Sequence, residues 1–522
     1  MLTCSFSRSP VRTPVWAPAD TRWPVILTNI VSAISSVNHT LGEADKGKLE
    51  EGKGIIRKLS ELKHNMGRNG VLQPIPDDGE GNLTCYNDEL AATPEEEKRW
   101  FTMNWLFAEC YLYRLLRTFF SLTTHWKSYD PFFESKAETY KSSSGAIVHL
   151  ANALNAMVAN PRLQDGWEGE KSPLEMAFWE MVQADLWGNA TDLSLLVDLN
   201  YADLQKLQAV GAAAQKEQAT RILRDDLPRV WDLLKTVKGG RVDIVLDNAG
   251  FEVYTDLILA DFLVSCTPFV DSVVFQYADA APGADLSPKL IPWWAIDSLL
   301  DPAFFSAHAN VSEADTRALS ELSRRWRSHM ASGTFRLSVP TDTPIGKDEP
   351  AANFWTTQYA YADMPALDPA LLAELQKADL VVFKGDLNYR KLIGDGKWPA
   401  TTSFEQALGP LNGTINLVSL RTNKADTIAR NRGAHGRRGA GLARVGQIRR
   451  RVVRAASDGS QTQIRVAVVF PARQMRRLAV HDTHGSLLPS HAASGTSSVS
   501  MRPPQRRKHK VKAEQDERAL EE

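Results

Sequence analysis

Cysteine is scarce. The 522-residue chain has four, Cys4, Cys85, Cys110 and Cys266, and no Cys-x-x-Cys pair. That scatter argues against a cysteine zinc site and fits a reducing compartment. Long apolar runs are missing too. No window approaches ~18 consecutive apolar residues, so no transmembrane helix is expected. The N-terminus lacks the apolar core of a secretory signal. Met1 to Pro18 is instead a Ser/Pro/Arg-containing stretch, read as a disordered tail, and a cytoplasmic location is expected, with a nuclear one as the alternative. No convincing Gly-rich loop follows a first strand, which weakens any reading that needs a pocket for an organic cofactor such as S-adenosylmethionine. No internal repeat is visible, which argues against a solenoid.

What is present is ordinary for a globular protein: 43% hydrophobic and 24% charged residues. The length allows ~2–4 domains and a large core. The formal net charge of −1 hides an asymmetry. From Arg421 to Glu522 there are 22 Lys+Arg against 8 Asp+Glu, leaving 39 against 54 in the rest. The body is acidic and the tail basic. Such a tail can bind nucleic acid or the acidic body. The plainer reading, a solvated disordered extension, is preferred, and no nucleic-acid partner is expected.

Residues from about Pro24 to Val230 have mostly helical spacing. Lys46 to Met66 carries Ile55, Ile56, Leu59 and Leu62 on one face, Trp100 to Leu122 is strongly amphipathic, and Leu174 to Leu186 forms another helix. Strands come later. The β-branched apolar run Arg241 to Leu246 reads as a buried strand, followed by Ser272 to Tyr277, Lys289 to Trp294, Leu380 to Phe383 and Ile415 to Leu420, with Gln461 to Phe470 as the one candidate in the tail. Helical segments such as Phe251 to Val264 and Pro369 to Lys377 alternate with them, which implies a mainly parallel sheet.

Polar groups follow several of these strands. Asp247 and Asn248 fall on the turn between the strand ending at Leu246 and the helix starting at Phe251. Two readings stay open for them: helix N-cap, for which Asp and Asn are favoured, or oxygen ligands of a hard divalent cation. Asp297 follows Trp294, Lys384 to Leu392 follows Phe383, and Arg421-Thr422-Asn423-Lys424 follows Leu420. Ligands in open α/β sheets sit outside the carboxyl ends of the strands. Asp247, Asn248 and Asp297 could together hold Mg²⁺ or Mn²⁺, and Lys384, Arg390 and Lys424 could neutralise an anion such as phosphate. Asn189, in the Trp187-Gly188-Asn189 turn, could reach such a site or simply satisfy turn backbone.

These stretches resemble a known family. Asp247-Asn248-Ala249-Gly250-Phe251-Glu252, Lys384-Gly385-Asp386-Leu387-Asn388-Tyr389-Arg390-Lys391-Leu392 and Arg421-Thr422-Asn423-Lys424 are similar to the hallmarks of the metal-dependent damage-control phosphatases. Phe107 to Arg114 and Trp187-Gly188-Asn189 resemble that family too. The Arg-Thr-x-Lys form resembles the subfamily also described as acidic-residue carboxyl methyltransferases. The likeness runs from about Trp23 to Asp426. It implies a three-layer α/β/α sandwich with a mainly parallel sheet and a helical N-terminal subdomain. The expected organisation is a tail at 1–18, a mostly helical subdomain at 19–230, an α/β metal-binding catalytic domain at 231–426 and, where the chain departs from the family pattern after Asp426, a basic extension at 427–522 whose composition predicts disorder. It also implies Mn²⁺, Co²⁺, Ni²⁺ or Mg²⁺ on Asp247, Asn248 and Asp297, with Asp247 and Asp297 catalytic. Glu252, Asp386, Leu387, Asn388, Tyr389, Arg390 and Lys424 are implied as substrate contacts. The implied activity is hydrolysis of small phosphate esters, sugar phosphates of the fructose 1-phosphate type among them. The alternatives are an S-adenosylmethionine-dependent carboxyl methyltransferase acting on glutamate side chains and a non-catalytic binding protein, for which polar strand ends would be unnecessary.

Overall fold

The computed structural model describes residues 17–160, 172–188, 222–276, 297, 311–340, 343, 347–399, 402–422 and 467–469. All of them lie in one compact unit, Met1–Gln474. Short β-branched runs pair into a seven-stranded sheet: β1 (Ile222–Arg224), β2 (Gly240–Val245), β3 (Val270–Gln276), β4 (Phe335–Leu337), β5 (Leu380–Lys384), β6 (Leu417–Thr422) and β7 (Ala467–Val469). Their order is β1-β7-β6-β5-β2-β3-β4. Each neighbouring pair is parallel except β1 with β7. The chain goes outward from β2 to β3 and β4, then returns to add β5 on the other side of β2. The sheet's switch point therefore falls between the carboxyl ends of β2 and β5, where an open α/β sheet leaves a crevice. Registers align those ends: Val245 pairs with both Gln276 and Phe383, and Lys384 with Leu420.

Helices flank the sheet: α1 (Ala17–Thr40), α2 (Lys46–Gly67), α3 (Leu83–Ala92), α4 (Trp105–Ser121), α5 (Phe133–Ser142), α6 (Ser144–Val158), α7 (Pro173–Gly188), α8 (Leu227–Leu234), α9 (Phe251–Cys266), α10 (Glu313–Ser332), α11 (Pro369–Leu375), α12 (Gly385–Leu392) and α13 (Phe404–Leu408). Side chains alternate across each strand, and this divides the core in two. Val242, Ile244, Leu246, Val273, Phe275, Val382 and Val418 face a layer drawn from α6 to α10. Val245, Val381, Phe383 and Leu417 face the other layer, with Trp355, Tyr361, Leu375, Tyr389 and Phe404. The architecture is the expected three-layer α/β/α sandwich. A third core, from Trp23 to Trp126, fills the helical N-terminal part, and Leu387 of α12 packs against it.

Boundaries moved where local chemistry outweighed periodicity. The amphipathic pattern from Trp100 starts as helix only at Trp105, because the Asn104 side chain accepts from Phe107 N and caps it there. β1 and β4, three residues each, are too short for any alternation to register. The expected strand Lys289 to Trp294 lies outside the described residues. Backbone from 467 to 469, within the Gln461 to Phe470 run, adds to the sheet beside β6.

Helix α4 carries Arg114 and Arg117 into the interior, and each has a carboxylate to meet it. Arg114 grips Asp78 with Nη1 and Nη2 at 2.8 Å each, while Thr118 and Ser121 donate to the same carboxylate at 2.7 and 2.9 Å. Burial alone would push the Asp78 carboxyl up. Hydrogen bonds from Arg114 and Thr118 outweigh it and hold Asp78 well below the usual carboxylate range. A carboxyl held low contributes stability that is present above its unfolded pKa of ~3.9 and is lost as pH falls through the folded value. Asp78→Asn should therefore cost about 3 kcal/mol at neutral pH, as for a broken buried pair. That deficit against wild type should stay constant in urea unfolding from about pH 6 to about pH 4 and shrink only below that, toward about pH 3, where the unfolded carboxyl begins to take up its proton. A deficit that does not change with pH would show that Asp78 carries no charge in the fold.

Candidate active site

β2 ends in a hydrogen bond from Leu246 N to Gln276 O at 3.1 Å, and the chain then leaves the sheet. Asp247 and Asn248 are half-buried on this turn. Gly250, at φ 72°, makes the bend into α9 and is itself the N-cap residue of that helix, with no side-chain cap. The helix-cap reading of Asp247 and Asn248 is thus overturned. Asn248 donates where a cap would accept: its Nδ2 meets Asp247 Oδ2 and Glu252 Oε2, each at 2.9 Å.

β5 ends next to this turn and bends at Gly385, φ 79°, into α12. A Cβ at Gly385 would stand 1.7 Å from Asp247 Oδ2 and 2.1 Å from its Cγ. Glycine here supplies both the left-handed conformation and the space that lets the carboxylate rest on the start of α12. Asn388, buried, closes the junction. Its Nδ2 donates to Leu246 O at 3.0 Å and Lys384 O at 2.8 Å, and its Oδ1 accepts from the Tyr361 hydroxyl. Tyr361 is fully buried, and its hydroxyl is pushed up by burial first and by the Asp247 charge second.

Beneath the turn lies a charge cluster. Lys384 is inaccessible to solvent and its Nζ reaches Asp185 Oδ1 of α7 at 2.5 Å and Asp256 Oδ1 of α9 at 3.0 Å. Burial pushes the Lys384 ammonium down, but Asp185, Asp256 and Glu252 outweigh it and raise its pKa above the usual lysine range. The Asp256 carboxyl moves well upward, driven first by burial and lowered only in part by Lys384, with Asp185 adding to the rise. Lys384 therefore points into the interior rather than into the crevice.

Other residues singled out in the sequence divide in the same way. Asp386 is buried and its Oδ1 accepts from Arg421 Nε at 2.7 Å, while the Arg421 guanidinium lies 4.1 Å from the centre of the Tyr389 ring. Arg390 is 2% exposed. It holds Asp395 through Nε and Nη2 at 2.9 and 2.8 Å, reaches Glu109 Oε2 at 2.7 Å, and covers the Trp105 ring at 3.7 Å. Leu387 is half-buried. Asp297 is exposed and paired with Arg327. Asn189, Asn423 and Lys424 lie outside the described residues. Among the described residues no group of three or more His, Cys, Asp or Glu is placed to hold a metal ion. A cavity of about 670 Å³ lined by Arg241, Val274, Gln276, Arg336, Phe354 and Leu371, among others, includes none of these site residues.

Sequence reasoning missed Asp185, Asp256 and Tyr361. A signal existed for Asp256 alone: it recurs four residues after Glu252 on a helix that is otherwise too apolar for a surface element.

The chain is matched by the model of the damage-control phosphatase ARMT1-like domain over residues 19–280 and 302–438. It belongs to the ARMT1-like damage-control phosphatase family. It is 31% identical to "Damage-control phosphatase ARMT1" of Danio rerio over 78% of this chain and 86% of that one. To the protein of the same name from Homo sapiens it is 30% identical, over 78% and 87%. A crystal structure of a DUF89 family protein from Pyrococcus horikoshii aligns with a TM-score of 0.33 at 13% identity, over 78% of this chain and 91% of that one; that likeness is too loose to place residues. Membership in the ARMT1-like family marks the chain as a phosphatase of the metabolite-repair kind, acting on small molecules. Among its described residues no helix is long and apolar enough to cross a membrane.

The Gly385–Asp247 contact gives a direct test. Gly385→Ala puts a methyl group where the carboxylate stands and strains a left-handed residue, at about 1–3 kcal/mol. The variant should still fold but lose roughly 10²-fold in phosphatase turnover, the scale of an ångström-sized misplacement. Near-normal turnover, with folding checked by circular dichroism, would mean that Asp247 need not rest on the start of α12.

Proposed function

We propose that the chain is a metal-dependent phosphomonoesterase acting on small phosphate esters, sugar phosphates of the fructose 1-phosphate type included. The observation that carries this reading is the seating of Asp247 and Asn248, half-buried, at the sheet's switch point, with Asp247 against the start of α12. The donor chemistry fits a hard divalent ion (Mn²⁺, Co²⁺, Ni²⁺ or Mg²⁺): a carboxylate and a carboxamide oxygen, with no thiol or imidazole. Asp247 and Asn248 would hold it, with Asp297 as third ligand once it exchanges Arg327 for the ion. Bound there, the ion would supply Lewis acidity toward a phosphoryl oxygen and lower the pKa of a water.

The protein's own groups set the rest. A phosphate ester brings about two negative charges, more than the ion can offset beside its own carboxylates. Arg390 is already held by Asp395 and Glu109, so its part is to fix the end of α12. We assign the anion-binding charge to Lys424, two residues beyond β6. The end of β6 lies beside that of β5, which supports this choice. No feature of the described site favours methyl transfer.

Two variants test the reading. Asp247→Ala should abolish Mn²⁺-dependent hydrolysis in a folded protein, and unchanged turnover would end the metal proposal. Lys424→Ala should lower kcat/KM for a good sugar phosphate by roughly 10²–10³, the cost of one preorganised donor, with metal affinity nearly constant. A loss below about threefold, far short of that cost, would place Lys424 away from the phosphate.

A further inference from the structure

Asn248 is flanked on two sides by carboxylates. Its Nδ2 lies 2.9 Å from Asp247 Oδ2 and 2.9 Å from Glu252 Oε2. Carboxylate oxygens accept hydrogen bonds, and an amide group offers donors on one side only. Flipping the amide would press its Oδ1 against two anions and turn its NH₂ group outward. The pair of carboxylates therefore admits one orientation, with Oδ1 turned away from both. Glu252 is itself fixed. It is 2% exposed, in the first turn of α9, and one turn further along that helix Asp256 is held by the buried Lys384.

We propose that Glu252 is a positioning residue, which sets the Asn248 carboxamide so that its oxygen faces the divalent ion. This inference rests on the metal reading above. It gives Glu252 a role through Asn248 and none in touching substrate, since a side chain this buried offers a phosphate ester no surface. Removal of such a supporting partner typically costs 10–100-fold in metal affinity.

The test is Mn²⁺ binding to the full chain without substrate, followed by electron paramagnetic resonance of the free ion. Glu252→Gln should weaken binding by roughly 10–100-fold, because a glutamine amide can donate as well as accept and no longer fixes Asn248. In an Asn248→Asp background the residue presents two equivalent oxygens and needs no orienting. There Glu252→Gln should change affinity by less than about threefold, well under the cost of a lost supporting partner, or should improve it by removing a like charge. At saturating Mn²⁺, the KM of Glu252→Gln for a sugar phosphate should match wild type. Wild-type Mn²⁺ affinity in Glu252→Gln, or an equal loss in both backgrounds, would overturn the proposal. So would a raised KM with normal metal affinity, which would make Glu252 a substrate contact. If Glu252→Gln does not fold, Glu252→Asp keeps the charge but withdraws the oxygens by one methylene. A loss of about 10-fold is then expected, and wild-type affinity overturns the idea. Should Asp247→Ala bind Mn²⁺ as wild type does, it is the metal reading that fails. If Asp247→Ala loses the ion and Glu252→Gln does not, only the positioning role fails.

Discussion

An ammonium group sealed from solvent must be met by carboxylates or the fold does not close. Lys384 is that group, and it sits at the last position of β5 with Asp185 and Asp256 on its Nζ. Moving such an ion out of water costs several kcal/mol, which only close, well-directed partners offset. Asp185 of α7 accepts a hydrogen bond from Nζ and Asp256 of α9 stands 3.0 Å from it, so one side chain ties two helices of one layer to the central strand pair. It also fixes where β5 stops. The next residue, Gly385, has to turn sharply, and its bare Cα lets Asp247 come to rest at the start of α12. Seat and switch point coincide for that reason.

A second buried cation performs the same service on the other side. Arg390, between Asp395 and Glu109 and over Trp105, fastens α12 to α4. Arg22 completes the chain by reaching the other oxygen of Glu109 at 2.7 Å. Leu387 adds an apolar contact to the helical core from the same short helix. The helical N-terminal part is therefore bound to the element that frames the crevice, and it cannot loosen without disturbing the turn carrying Asn388. Removing one member of such a network leaves the others charged and unmet in a low-dielectric interior, which is why these residues come as sets.

Much of this was readable beforehand. The runs Arg241 to Leu246, Leu380 to Phe383 and Ile415 to Leu420 are β-branched, apolar and bounded by turn residues, and all three are strands. Phe251 to Val264 and Leu174 to Leu186 have helical spacing and are helices. The alternation of the two element types was enough for a parallel sheet with helices on both faces. Local competition was harder to see. An asparagine cap moved the start of α4 by five residues, and the three-residue strands β1 and β4 exist only because neighbours pair with them. Lysine and arginine after a strand looked alike in sequence, yet Lys384 and Arg390 both went inward: Lys384 met two carboxylates far away along the chain, and Arg390 met distant Glu109 as well as nearby Asp395.

The sequence alone determined the element types, the layer architecture, the family motifs and the position of Asp247 and Asn248 at a strand end. Each depends on residues close together in the chain, where periodicity and turn chemistry act directly. Only the tertiary structure decided that these two residues are not a helix cap. It also decided that Gly385 must be bare to admit Asp247, that Asp185 and Asp256 answer Lys384, and that two carboxylates hold the Asn248 amide in one orientation. The physical reason is distance along the chain. Asp185 and Lys384 are 199 residues apart, and Glu109 and Arg390 are 281 apart. Contacts of that span are selected by the burial of charge in a finished core, which no local pattern encodes.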